Sequence, residues 1–166
     1  MYILQSNIAK AWVKQMILYN ETKKTFTLHT QNTTYQCKVG RLGVLLHLYY
    51  GQRLQAEDLG HLVVYRNRSF SGNPYEAGND RTFSLDRLPQ EFPSAGGGDY
   101  RTGPLGVMNA DGSRAADLRY ISHKITKGKY TLPGLPSLYH NTPHEAETLE
   151  ITLRDDASNL ETALVY

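Results

Sequence analysis

One cysteine, Cys37, is all the thiol that the 166 residues contain, so no internal disulfide framework can form. That scarcity suits a reducing compartment, and the alternating surroundings of Cys37 predict a small apolar strand residue instead of a nucleophile. Charge of one sign is equally scarce. The 18 basic and 16 acidic side chains are dispersed, with no block of like charges, which excludes electrostatic capture of nucleic acid or of an anionic membrane surface. No apolar run reaches the ~18 residues that a membrane helix requires. Helical periodicity is too short for βαβ units, and no segment repeats.

The motifs of nucleotide, hydrolase and metal chemistry are missing as well. Gly96-Gly97-Gly98 lacks the Lys-Ser or Lys-Thr of a phosphate-binding loop and predicts backbone with positive φ. There is no Gly-x-Ser-x-Gly elbow. His140 and His144 are four apart, but Pro143 lies between them and no third ligand has suitable spacing, so neither a metal nor a cofactor is expected. His29, His47, His61 and His123 stand alone in strand patterns and are expected to be structural. The triplets beginning at Asn20, Asn32 and Asn67 match a glycosylation acceptor, which carries no weight without a signal peptide.

What is present is period-two alternation. Phe26 and Leu28 share one face of residues 24–30, opposite Thr25, Thr27 and His29. Tyr35, Cys37 and Val39 repeat the pattern over residues 33–39, and an apolar run over residues 44–50 ends at Gly51. A helical turn is expected between Gln55 and Gly60, then a strand over residues 62–65. Residues 67–106 are rich in Gly, Pro, Asn, Asp and Ser, yet carry Phe70, Phe83, Phe92 and Tyr100. Such a stretch reads as ordered irregular backbone at the edge of a sheet and not as a linker. Its carboxylates, Asp80, Asp86, Glu91 and Asp99, are expected to be solvated loop charges. Asn109-Ala110-Asp111-Gly112 predicts a hairpin turn between arms at residues 105–108 and 114–127. In the second arm Leu118, Tyr120, Ile125 and, less regularly, His123 alternate with polar neighbours. Residues 129–145 are kept irregular by Pro133, Pro136 and Pro143, and two further strands close the chain at residues 148–153 and 160–166. The fold class is all-β, a large antiparallel β-sandwich (supersandwich) with a long ordered loop region.

Residues 1–15 do not fit that plan. Lys10 and Lys14 bracket a short apolar segment with no cleavage site, and the reading is a mis-called or disordered extension before a native start at Met16. The final alternating run ends without cap or polar tail, which predicts a domain, residues 16–166, that is incomplete at its C-terminal end.

Several strings in order carry a family resemblance: Arg66-Asn67-Arg68-Ser69-Phe70-Ser71-Gly72-Asn73-Pro74, Asp80-Arg81-Thr82-Phe83-Ser84-Leu85-Asp86 and Leu88-Pro89-Gln90-Glu91-Phe92-Pro93. Gly98-Asp99-Tyr100-Arg101, Asp117-Leu118-Arg119-Tyr120-Ile121-Ser122-His123-Lys124-Ile125 and Glu145-Ala146-Glu147-Thr148-Leu149-Glu150-Ile151-Thr152-Leu153 follow. From about Met16 onward the chain resembles the N-terminal domain of the α-galactosidases of glycoside hydrolase family 36. The resemblance implies a parent enzyme with a β-sandwich, a catalytic (β/α)₈ barrel and a C-terminal β-domain. Such an enzyme removes terminal α-galactosyl residues from melibiose, raffinose and stachyose with retention, through two barrel aspartates.

Neither catalytic aspartate falls in this chain, so no residue here is catalytic and the fragment alone is expected to be inactive. Partners implied are α-galactoside oligosaccharides through the full-length enzyme, its own barrel, and neighbouring subunits of a homotetramer; nucleic acid and membrane are not among them, and the location is cytoplasmic. The resemblance further implies that the loop over residues 66–101 helps enclose the substrate pocket, with Asn67 and Arg81 as substrate-binding residues. Asn67 departs from the family's usual Asp, which keeps an acceptor oxygen but loses the charge. Ala95 stands where an aromatic is common. The rival readings are a stand-alone carbohydrate-binding module and a structural remnant of a decayed gene.

Overall fold

Seven strands make up the regular structure of the computed structural model, which describes residues 16–55, 58–67, 72–137, 139–140 and 145–166. The expected extension over residues 1–15, the triad Ser69-Phe70-Ser71, and both Pro143 and His144 lie outside the described residues. Strands β1 (Ile17–Asn20), β2 (Thr25–His29), β3 (Thr33–Val39) and β4 (Leu45–Gln52) form one antiparallel sheet in chain order. Strands β5 (Arg119–Lys127), β6 (Glu147–Asp155) and β7 (Leu160–Val165) form a second. All pairings are antiparallel, and the fold is all-β.

The alternation explains the packing. Ile17, Phe26, Cys37, Val39 and Leu45 from the first sheet meet Leu149, Ile151 and Leu153 from the second in one buried cluster. Phe26, Cys37, Leu149 and Ile151 are wholly inaccessible, and each such Phe, Leu or Ile contributes about 1.5–3 kcal/mol of burial. Tyr19 stacks on Phe26 at 4.6 Å, and His123 of β5 reaches both rings, at 4.1 and 4.9 Å, from the opposite sheet. The inward set of β5 holds across a bulge. Tyr120 pairs with Leu153 and Ser122 with Thr152, leaving Ile121 as the extra residue, so Tyr120 and His123 share a side despite their odd spacing.

Leu45 and Leu46 are consecutive and face opposite ways. Leu45 joins the inter-sheet core, whereas Leu46 enters a second cluster with Val44, Ala77, Phe83, Leu85 and Leu88. That second core seats the long loop on the outer side of β4, the edge strand. The backbone seals the join: His47 N donates to Pro89 O at 2.7 Å and Glu91 N to Leu45 O at 2.9 Å.

The threonine face of β2 is also buried, at Thr25, Thr27 and His29. Leu54, Asp58 and Leu59 cover it with polar contacts. Leu54 N donates to Thr34 Oγ1 at 2.9 Å, Leu59 N to Gln36 Oε1 at 2.9 Å, and Gln36 Nε2 to Thr27 Oγ1 at 2.7 Å. Among the described residues no buried side-chain polar atom lacks a partner.

Four expectations need correction. The run predicted to stop at Gly51 continues to Gln52. Of the helical turn expected between Gln55 and Gly60, residues 56–57 lie outside the described residues, 55, 58 and 59 are not helical, and a 3-10 turn runs Gly60–Leu62. Residues 62–65 are not a strand, because no neighbouring strand pairs with them; only Val63 tucks against the second core. At residues 109–112 the turn is real, with Gly112 N donating to Asn109 O at 2.9 Å, but residues 105–108 form no strand.

Candidate functional site

Two charged groups of the loop over residues 72–106, Asp99 and Glu91, point inward. Asp99 is 6% exposed, and Arg101 grips its carboxylate from Nε (2.9 Å) and Nη2 (2.7 Å). The same guanidinium donates to Leu85 O at 2.6 Å and Leu88 O at 3.0 Å, while Gln90 Nε2 donates to Asp99 Oδ2 at 2.6 Å. Burial pushes the Asp99 carboxyl up, but these donors outweigh it and hold it below the usual carboxylate range. Gly98, at φ +88°, lies so close to Gly72 that a Cβ there would sit 3.1 Å from the Gly72 carbonyl oxygen. The positive-φ reading of the glycine run holds at Gly96 and Gly98.

Glu91 is the second inward carboxylate. Its Oε1 accepts from the hydroxyls of Tyr35 and Tyr166, the latter at 2.7 Å, and its Oε2 lies 3.3 Å from His47 Nδ1. Asp99 and Glu91 thus overturn the expectation of solvated loop charges. Asp99 is buried and Glu91 half-buried, each within a specific set of donors that spacing along the chain does not reveal. Burial, reinforced by Glu91, raises both tyrosine hydroxyls well above the ordinary phenol value. Cys37 is raised likewise, by burial first, as a core thiol should be.

The outer surface of the loop carries the two residues expected to meet substrate, and they touch each other. Arg81 Nε donates to Asn67 Oδ1 at 3.0 Å. Their supports are layered beneath them. Phe83 is fully buried, Tyr65 stacks parallel to it at 6.5 Å, and the Arg41 guanidinium lies 5.0 Å from its centroid. Arg41 Nη1 then pairs with Asp80 at 2.5 Å, and Asp80 also accepts from Thr82 N and Thr82 Oγ1 at 2.9 and 2.6 Å. Those donors, Arg41 foremost, hold the Asp80 carboxyl down at about 2. Tyr65 precedes Asn67 by two residues and Asp80 adjoins Arg81, so one buried ring organises both candidates. Ala95 is exposed, its carbonyl accepting from Ala116 N at 2.7 Å.

Two surface depressions flank this region. One of about 640 Å³ is lined by Asn73, Pro74, Tyr75, Gly78, Asn79 and Arg81. The other, about 760 Å³, shares Tyr75 with it and runs toward Asp117, Arg119 and Asp155. Sequence reasoning singled out neither Arg41 nor Tyr75. Arg41 lies 39 residues from its partner Asp80, and Tyr75 has no periodic neighbours. Asp117 is held by Arg119 through two bonds, at 2.6 and 2.9 Å. No group of three or more metal-ligating side chains occurs among the described residues, and no described helix is long and apolar enough to cross a membrane.

The model of the glycosyl hydrolase family 36 N-terminal domain matches residues 43–166. The chain is 51% identical over 150 residues to the bifunctional alpha-galactosidase/sucrose kinase AgaSK of Mediterraneibacter gnavus, covering 90% of this chain and 16% of that protein. It is 41% identical over 150 residues to alpha-galactosidase AgaA of Geobacillus stearothermophilus, covering 90% and 20%. The structure superposes on the galactosidase domain of AgaSK with a TM-score of 0.85, at 51% identity, covering 90% of this chain and 21% of that one. A variant of AgaA from Geobacillus stearothermophilus in complex with raffinose gives 0.79 at 41% identity, covering 86% and 20%. The chain therefore spans about a fifth or less of the length of these relatives.

Proposed function

The chain belongs to the glycosyl hydrolase family 36 N-terminal domain family, and from that premise we propose that it is the non-catalytic N-terminal part of a retaining α-galactosidase. The parent hydrolyses terminal α-galactosyl residues of the melibiose and raffinose type in the cytoplasm. This domain helps subunits assemble into an oligomer and helps wall the substrate pocket. One observation carries the reading: the similarity covers nine-tenths of this chain but only the smaller part of relatives that are α-galactosidases. The chemistry of hydrolysis then belongs to the remainder.

The domain's own contribution is positional. Asn67 and Arg81 form a donor and acceptor pair on a surface supported by Phe83, which suits the hydroxyls of a galactosyl unit. Residues 16–166 act as one unit in this reading. The test is to express the full-length protein and this chain alone, and to assay both with an aryl α-galactoside and with raffinose. The reading expects hydrolysis by the first and none by the second. A full-length product that binds raffinose without cleaving it would favour a carbohydrate-binding module instead, and one that does neither would favour a structural remnant.

A further inference from the structure

Tyr75 is 95% exposed, more than any other large apolar or aromatic side chain among the described residues. The backbone beneath it is firmly seated. Pro74 before it and Ala77 after it are buried, and Ala77 belongs to the second core. A 3-10 turn, Tyr75–Ala77, is closed by Ala77 N to Pro74 O and Gly78 N to Tyr75 O, both 3.0 Å. Asn73 Nδ2 ties the turn's end by donating to Gly78 O at 2.8 Å, and Gly78 leaves it at φ +57°. A ring presented from a well-seated turn leaves little backbone entropy to lose when something binds it.

The groove beside the ring has the volume of a small-molecule site, about 640 Å³. Around the ring it gathers the amides of Asn73 and Asn79 and the guanidinium of Arg81. A pyranose offers an apolar C–H face to an aromatic ring and hydroxyls to amide and guanidinium groups. Pro74 is the one other apolar side chain of this wall, whereas a protein interface core is built from packed apolar side chains. Arg81 belongs both to this groove and to the pair with Asn67, so the two features are continuous.

We propose that Tyr75 is a stacking platform for the sugar units on the leaving-group side of the galactosyl linkage, with Asn79 binding their hydroxyls. This rests on the reading of the Asn67–Arg81 surface as part of a galactoside pocket. It makes Tyr75 a determinant of preference for longer oligosaccharides, with no part in the bond-breaking step.

The experiment compares Tyr75→Ala and Tyr75→Phe with the unsubstituted full-length protein on methyl α-galactoside, raffinose and stachyose. Light scattering on each variant reports assembly. Loss of the ring is expected to raise KM for raffinose and stachyose about tenfold at unchanged kcat, to leave methyl α-galactoside unaffected, and to be rescued by Phe. Equal effects on all three substrates, no effect on any, or a change of subunit number in Tyr75→Ala would overturn it. Failure of the unsubstituted protein to cleave any of them would bring down the galactosidase reading itself, and this one with it.

Discussion

The hydroxyl of Tyr166, one residue beyond β7, donates to Glu91 Oε1 at 2.7 Å, joining the end of the second sheet to the base of the loop that lies on the first. Tyr35 of β3 donates to the same oxygen. Glu91 is therefore a three-way tie, and its removal takes the acceptor from the half-buried Tyr166 hydroxyl and leaves Tyr35 only His47 Nδ1, 3.3 Å away. Glu91→Ala is expected to destabilise the fold by about 2–4 kcal/mol, and Tyr166→Phe by about 1 kcal/mol. Urea unfolding followed by tyrosine fluorescence and circular dichroism measures both. Equal effects of the two substitutions would show that the carboxylate is no shared acceptor.

Alkaline pH should attack the same tie. The folded pKa values of Tyr35 and Tyr166 are raised above the ordinary phenol value, by burial first and Glu91 next. A raised acid favours its neutral form in the fold, so its contribution is complete below the unfolded pKa of about 10 and declines as pH climbs from there toward the folded value. Stability measured between pH 9 and pH 12 should fall, and Tyr35→Phe with Tyr166→Phe together should flatten the slope. An unchanged slope in the double variant would assign the decline to other groups.

Asp80 gives the acid counterpart. Arg41 and Thr82 hold its carboxyl down at about 2, below the 3.9 or so of a free aspartate. Its contribution is complete above about pH 4 and is lost as pH drops through about 2. A carbon-detected NMR titration of the Asp80 carboxyl should place the midpoint near 2, and Arg41→Ala should move it up toward the free value. Arg41→Ala should also hasten proteolysis of the loop, since Phe83 loses the cation on its face.

Asn67 bears directly on the proposed pocket. With Arg81 Nε 3.0 Å from its side-chain oxygen, Asn67→Asp places a full charge opposite the guanidinium and strengthens every bond that the oxygen accepts. In the full-length protein KM for raffinose should fall roughly threefold, a modest gain because both side chains are exposed. A rise in KM would mean that the amide N–H, lost in the substitution, is the group the sugar uses.

Much of this was legible in order along the chain. Alternation located β2, β3, β6 and β7 to within about two residues, since a strand half-buried in a sandwich needs an apolar residue at every second position. The same rule put Phe26, Cys37 and Val39 on the apolar faces of their strands, and all three are buried. The loop's ordered character was also readable, because its aromatics need somewhere to be buried, and Phe83 found that place behind Leu46. The strand expected over residues 62–65 failed for the converse reason. Propensity was there, but a strand is defined by a partner, and none of the described strands pairs with it.

Composition and alternation by themselves determined an all-β chain with an ordered loop, a buried thiol and no disulfide, because those follow from side-chain period, propensity and count. Only the tertiary structure decided which charges are buried and whom they meet. Glu91 with Tyr166 and Arg41 with Asp80 join residues that lie 75 and 39 positions apart in the chain. Folding alone brings such groups within the few ångströms where hydrogen bonds and ion pairs act, and nothing local in the chain records those distances.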